Sequence, residues 1–329
     1  MKHNRLYTLL LKFPLSVRIG STVILIIFIF AYLITLAEPK EFPDYYDGIW
    51  WAVVTIATVG YGDLVPVTAI GKLIGIILIL LGAGFLTAYF AHLSAAAIQK
   101  QHSYSRGHVS FRSKDHLIVV GWNAKAREMI KTMRKTAPKR KVVLIDQSLY
   151  EAPLLDNIHF IKGNAAEDDV LLKANIHKAD GIIITADQHK DEADSDRQTI
   201  LTLLAVKGLN PGLYTICEIL SEQSMNNAKR AGADEIIRTS EVTSHLMMNS
   251  LFSKKGLSDL FEKLNPAAGN HFEILAAGSM EGKSFLEASI YYLNQEKLLL
   301  GIKKGEETFL NPPHDYQISA SEELILFVH

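Results

Sequence analysis

The chain has 329 residues, carries 34 Lys+Arg against 35 Asp+Glu, and contains one cysteine and twelve histidines. A net charge of −1 with no long basic run excludes a nucleic-acid binder, and Cys217 alone builds neither an intramolecular disulfide framework nor a cysteine-rich metal site. The histidines show no HExxH or paired metal spacing, so neither a zinc enzyme nor a thiol redox protein is indicated, and the length suggests roughly two domains plus a membrane portion.

Residues 1–18 carry Lys2, Arg5, Lys12 and Arg18 with no acidic residue, and then Ile19 to Leu36 runs eighteen residues without a charge. As a helix that run is about 27 Å long, enough for the hydrocarbon core. A secretory signal has a shorter apolar region, roughly 7 to 15 residues, and a clearer small-residue cleavage site. After the run come Glu38, Glu41, Asp44 and Asp47 against Lys40 alone, so the positive-inside rule places the N-terminus in the cytoplasm. Pro43 to Ala57 reads as a short re-entrant helix, with Trp50, Trp51, Val54 and Ala57 at helical spacing. It is too short to cross, and its C-terminal dipole end favours a cation at its tip.

Next stands Thr58-Val59-Gly60-Tyr61-Gly62, followed by Asp63. If this backbone extends along a pore axis, its carbonyl oxygens face inward, and rings of them from several subunits replace the hydration shell of a dehydrated cation. Gly60 and Gly62 take backbone angles denied to residues with a Cβ, which lets adjacent carbonyls face the same way. Val59 and Tyr61 then point outward, and the Thr58 hydroxyl adds one more oxygen. Asp63 is placed to accept from a Trp indole or an ordered water, or else is a solvated loop carboxylate.

This stretch resembles the potassium-channel signature TVGYG without a departure, and residues 50–57 resemble that family's pore helix and aromatic cuff. The resemblance implies K+ bound by the backbone carbonyls of Thr58 to Tyr61, with Trp50, Trp51 and Asp63 supporting the filter. A second uncharged span runs from Leu73 to about Ala91, closing a pore domain over residues 19–92 and returning the chain to the cytoplasm. Within it, Gly82 and Gly84 weaken the helix by roughly 1 kcal/mol each against alanine. They are read either as the family's gating hinge or as a close packing contact; Gly71 and Gly75 get the packing reading alone. Thr87 faces the inner cavity if the helix registers as in the family.

Residues 93–114, polar from Gln99 onward, read as a linker. From His116 strand-like runs at 117–120, 142–145, 159–161, 182–184, 213–219 and 235–237 alternate with helical segments, which argues a parallel sheet covered by helices over residues 115–240. The first strand ends in Gly121-Trp122-Asn123-Ala124-Lys125-Ala126, where a dinucleotide fold carries GxGxxG. Only the first glycine is present. Asn123 is suited to cap the helix and Ala126 to pack it, and Asp146 ends the second strand where an acidic residue binds ribose hydroxyls. A bound nucleotide, NAD(H), ADP or ATP, and a fold kept for assembly both fit.

Leu117 to Trp122, Gly163-Asn164-Ala165 and Ala231-Gly232-Ala233-Asp234 together resemble the RCK (regulator of potassium conductance, TrkA-N) domain of prokaryotic two-transmembrane potassium channels of the MthK type. The resemblance covers nearly the whole chain. It implies a membrane α pore joined to a cytosolic Rossmann-like domain, a homotetramer in the cell membrane of a prokaryote with both termini cytoplasmic, and a ligand-biased gating ring. That ring holds eight RCK domains in the family, so four extra copies come from a second product. Calcium-gated members carry acidic residues where this chain has Thr185, Glu218 and Leu220. One carboxylate of three makes a divalent cation doubtful, with Glu218 and Asp187 the remaining candidates. Residues 187–196 form an acidic run, read as a cation site or as a solvated loop leading into a helix N-terminus. Apolar residues within 241–266, including Met247, Leu251, Phe252, Leu257, Leu260 and Phe261, are read as a crossover that pairs subunits or as core, and residues 267–329 as a small α+β lobe. A membrane-anchored nucleotide-dependent oxidoreductase and a non-conducting or partner-dependent channel subunit are the rival readings. The first lacks an intact glycine loop and a catalytic constellation, and the second is expected to show a damaged filter.

Overall fold

The computed structural model describes residues 15–155, 157–254 and 257–328. Lys2, Arg5 and Lys12, on which the orientation argument partly rests, lie outside the described residues, as do Lys255 and Gly256 of the expected crossover. The chain forms two compact units, one ending at Ser103 and the other beginning at Tyr104.

The first unit contains helix α1 (Leu15–Ala37), helix α2 (Tyr45–Ile56) and most of helix α3 (Ala69–Ser105). Helices α1 and α3 are long and apolar enough to cross a membrane. They leave Leu25, Phe28, Leu73 and Leu80 exposed, the pattern of helices whose solvent is lipid. At the start of α2, Asp47 Oδ2 accepts the Asp44 N–H at 3.2 Å, tying off a free helix donor. Helix α2 lies against α1 at Gly48, where a Cβ would stand 2.6 Å from the Ala31 carbonyl oxygen. Phe30, Ile34, Phe42, Trp51, Ile56 and Leu78 close a small core among these helices.

Helix α3 continues to Ser105, through the first part of the stretch expected to be linker. Ala95 to Ala97 and Gln99 to Gln101 are sound helix formers, so polarity alone does not end the helix there.

In the second unit six parallel strands, β1 (His116–Val120), β2 (Lys141–Asp146), β3 (Ile158–Lys162), β4 (Ala179–Ile184), β5 (Thr215–Glu218) and β6 (Glu235–Ile237), form a sheet in the order β3-β2-β1-β4-β5-β6. Helix α4 (Ala124–Thr136), helix α5 (Asp168–Lys173), helix α6 (Glu192–Leu209) and helix α7 (Glu222–Arg230) connect these strands. The buried β-branched runs Ile118-Val119 and Val142-Val143 are those of a sheet covered on both faces. Strand order reverses between β1 and β4, and a crevice for ligand opens at the carboxyl ends of such strands. Asp234, of the Ala-Gly-Ala-Asp motif, accepts from the Thr215 N–H and the Lys207 ammonium, both at 2.7 Å, and so pins the start of β5.

Helix α8 (Thr239–Ser253) buries none of its residues and exposes Met247, Leu251 and Phe252; the short helix α9 (Ser258–Lys263) follows. The C-terminal lobe is an antiparallel sheet of β7 (His271–Ala276), β8 (Lys297–Lys304), β9 (Glu307–Leu310) and β10 (Glu323–Val328) in the order β7-β10-β8-β9. Helix α10 (Phe285–Leu293) packs on it over Phe285, Ala288, Leu299 and Leu326.

Candidate functional site: the filter and the cleft of the second unit

Backbone φ is positive at Thr58 (58°), Gly60 (58°) and Gly62 (77°) and ordinary at Val59 and Tyr61. A positive φ at every second residue lets successive carbonyls face one side, the arrangement a ring of oxygen ligands requires. Glycine adopts the left-handed region freely; the β-branched Thr58 does so at a cost of about 1–3 kcal/mol. The loop is braced against α2. Trp50 Nε1 donates to Asp63 Oδ2 at 2.8 Å, and the Trp50 and Tyr61 rings stack with centroids 5.8 Å apart and planes 2° from parallel.

A second brace involves a residue that sequence reasoning passed over. The carboxylate of Glu38, just beyond α1, accepts the N–H groups of Val67 and Thr68 at 3.0 and 2.8 Å and the Thr68 hydroxyl at 2.6 Å. It thereby holds the start of α3 from the end of α1, and Gly71 is the residue whose missing side chain leaves it room. In sequence Glu38 was one acidic residue among four, and no local pattern marks a partner thirty residues away.

Gly82 sits inside a continuous helix, where a Cβ would stand 2.5 Å from Ile56 Cγ1, whereas a Cβ on Gly84 meets nothing within 4 Å. Gly82 thus packs against the end of α2. Thr87 is exposed in the single chain.

The cleft of the second unit lies at the ends of β1, β2 and β4, lined by Gly121, Asn123, Asp146, Asn164, Thr185 and Gln198 among others. Gly121 has φ 90°, and a Cβ there would come 2.5 Å from Thr185 Oγ1. Asn123 Oδ1 accepts the Ala126 N–H at 2.9 Å, and its amide donates to Thr185 Oγ1 at 3.1 Å. The side chain therefore occupies a helix donor that a phosphate takes in a GxGxxG loop. Asp146 lines the cleft at the end of β2, the position from which an acidic residue meets ribose hydroxyls in dinucleotide folds.

Glu218 is engaged by the protein's own groups. Its buried carboxylate pairs with the Lys125 ammonium and takes the Thr239 hydroxyl and the Ala186 N–H, the last at 2.9 Å. Lys125, in the first turn of α4, supplies from the protein the positive charge that a divalent ion would bring. Asp187 accepts the His189 N–H at 3.0 Å and stands 3.7 Å from Lys190. Among the described residues no group of three or more His, Cys, Asp or Glu side chains is placed to hold a metal ion. In the acidic run, Asp191 caps α6 through the Asp194 N–H, and the fully buried Asp196 holds the Leu220 and Ser221 N–H groups.

The stretch after α3 is docked on this unit. His159, buried on β3, contacts the Tyr104 hydroxyl at 3.0 Å and the Val109 carbonyl at 2.6 Å, and the Phe111 ring lies between His116 and His159. Burial pushes both imidazoles below their ordinary value. Burial likewise raises the Cys217 thiol to about 12, which leaves it unreactive.

Comparison with known proteins agrees with both units. An ion channel family model matches residues 21–99 and a TrkA-N domain model residues 117–239. The Bacillus subtilis protein YugO, itself described provisionally as a potassium channel protein, is 44% identical over 326 residues, 99% of each chain. The calcium-gated potassium channel TvoK of Thermoplasma volcanium is 28% identical over 95% of this chain and 91% of its own. The GsuK channel shares the fold, with a TM-score of 0.52 at 14% identity over 94% of this chain, which spans 56% of that one. Fold and filter define a membrane ion-channel subunit that carries an α/β regulatory domain. The chain belongs to the family of potassium channels that join a two-helix pore to a TrkA-N domain.

Proposed function

We propose that the chain is a potassium-selective channel subunit, four copies of which surround one pore. The observation that carries this is the alternating backbone at Thr58, Gly60 and Gly62, because one filter strand supplies a quarter of each ring of carbonyl ligands. K+ passes through the carbonyls of Thr58 to Tyr61 as the permeant ion. Both termini face the cytoplasm of a prokaryotic cell, the α3 helices bend near Gly82 and Gly84 to open the pore, and Thr87 faces the inner cavity.

The cytosolic units assemble as a ring, with extra copies of the regulatory domain where a second product exists. The exposed apolar residues of α8 support subunit pairing through that helix. The cleft takes a nucleotide with free ribose hydroxyls, NAD(H), ADP or ATP, and the ligand shifts the open-closed equilibrium by binding one state better. A GsuK structure of the same fold, TM-score 0.51, is described as bound to NAD. We assign no enzymatic activity, since the curated relatives are named as channels and the cleft's glycine loop keeps one glycine of three.

Potassium flux from liposomes, with nucleotides, cyclic dinucleotides, calcium, magnesium and sodium varied singly, tests the reading. Potassium-selective flux that responds to a nucleotide supports it. A folded tetramer that conducts under no condition overturns it in favour of a partner-dependent subunit.

A further inference from the structure

Asp146 lines the cleft on one side and organises the loop after β2 on the other. Its Oδ2 accepts the Trp122 N–H at 2.7 Å; its Oδ1 accepts the Ser148 N–H, the Ser148 hydroxyl and the Leu149 N–H at 2.8, 2.7 and 2.8 Å. Each carboxylate oxygen offers about two acceptor sites, so Oδ1 with three donors is full while Oδ2 with one keeps a site open. A ribose that sets one hydroxyl on each oxygen therefore displaces a loop donor from Oδ1.

The same loop, residues 147–155, grips the end of the pore-lining helix. Tyr104 and Ser105, the last residues of α3, belong to the cytosolic unit. Ser105 gives its carbonyl to the Ala152 N–H at 2.7 Å. Arg106 donates to the Tyr150 hydroxyl at 2.9 Å and lies over the Tyr150 ring at 5.2 Å, with Lys162 at 5.6 Å. Gly107 sits where a Cβ would come 2.5 Å from the Lys162 nitrogen, so the chain leaves the helix pressed onto the edge strand.

We infer that the β2–β3 loop is the joint through which ligand in the cleft acts on the pore: capture of Asp146 by ribose hydroxyls frees Ser148 and Leu149, and the loop loosens its grip on Ser105 and Arg106. This rests on the nucleotide reading of the cleft. Because the final turn of α3 is itself held, no free chain separates the joint from the helix, and a change of grip reaches the helix without slack. The two states differ in which donors Asp146 holds, so a ligand that prefers one state biases the other end.

The test uses the full-length channel in liposomes, with NAD+ and ADP as probes, and reads nucleotide binding and potassium flux separately. In Tyr150→Ala, and independently in Arg106→Gln, binding stays within about twofold of wild type. The flux response, about fivefold or more in wild type by the usual size of such couplings, falls below about twofold. A full response in both variants overturns the joint and leaves the nucleotide reading intact. A ligand-free cycle separates the two: Asp146→Asn changes flux in the wild-type background and has little further effect beside Tyr150→Ala. If neither probe binds but this cycle couples, the nucleotide reading falls and the joint stands. If the two substitutions act additively, the joint falls.

Discussion

Trp50 Nε1 and Asp63 Oδ2 stand 2.8 Å apart across thirteen residues of chain, and this one bond ties the pore helix to the mouth of the filter. Trp50 also stacks on Tyr61, so the same indole holds the filter at two points. Trp50→Phe keeps a ring to stack and loses the donor, while Asp63→Asn keeps the shape and loses the charge. Both are expected to assemble as wild type by cross-linking and to conduct less potassium, with Trp50→Phe the milder where stacking carries most of the brace.

Gly82→Ala places a methyl group 2.5 Å from Ile56 Cγ1. Overpacking of this kind costs about 1–3 kcal/mol and lowers the thermal midpoint of the solubilised channel. Ile56→Ala in the same chain removes that Cγ1, makes room and recovers part of the midpoint. If the helix bends here, flux in the double variant stays low although assembly recovers. Gly84→Ala, with open space around it, stiffens the helix by about 1 kcal/mol and lowers flux with no loss of assembly.

Glu218→Gln leaves the partly buried Lys125 ammonium without its partner, and removing one member of such a pair costs about 3 kcal/mol. Chemical denaturation of the solubilised channel reads this as an earlier transition of the second unit. Adding calcium is expected neither to shift that transition nor to change flux through this residue.

The docking of residues 104–115 carries a pH dependence. Burial holds His159 and His116 below their ordinary value of 6.5, with the Val109 and Ala174 carbonyls and the carboxylates of Asp115 and Asp180 opposing it. A folded state that prefers neutral imidazoles keeps its full stability above about pH 6.5 and loses it as pH falls toward the depressed values. Proteolysis of this segment in the intact channel is expected to quicken as pH falls below about 6.5. His159→Gln, which does not titrate, flattens that part of the profile.

The parts of this molecule that sequence makes legible are those whose physics is local. The unbroken apolar runs, the glycine spacing of the filter, the alternation of strand-like and helix-like segments and the cap formed by Asn123 each declare themselves within a few residues. What sequence hides depends on partners brought from far away. Glu38 meets Val67 and Thr68 only when α1 and α3 are packed, Lys125 meets Glu218 across ninety-three residues, and Asp196 looks like one of several solvated carboxylates until α6 turns it toward Ser221. The polar residues after Gln99 read as a linker. They continue a helix as far as Ser105 and then dock, because Phe111 meets the buried His116 and His159, which no pattern within 99–114 reveals.

Potassium against sodium flux through the purified chain, measured beside Gly60→Ala, tests the central claim most directly. Gly60 has φ 58° and no neighbour within 4 Å of a Cβ, so alanine there strains the backbone without a clash. The account predicts potassium flux with little sodium in the wild type and loss of that selectivity or of conduction in Gly60→Ala, with the tetramer intact. Equal passage of both ions by the wild type, or flux indifferent to Gly60→Ala, would contradict it.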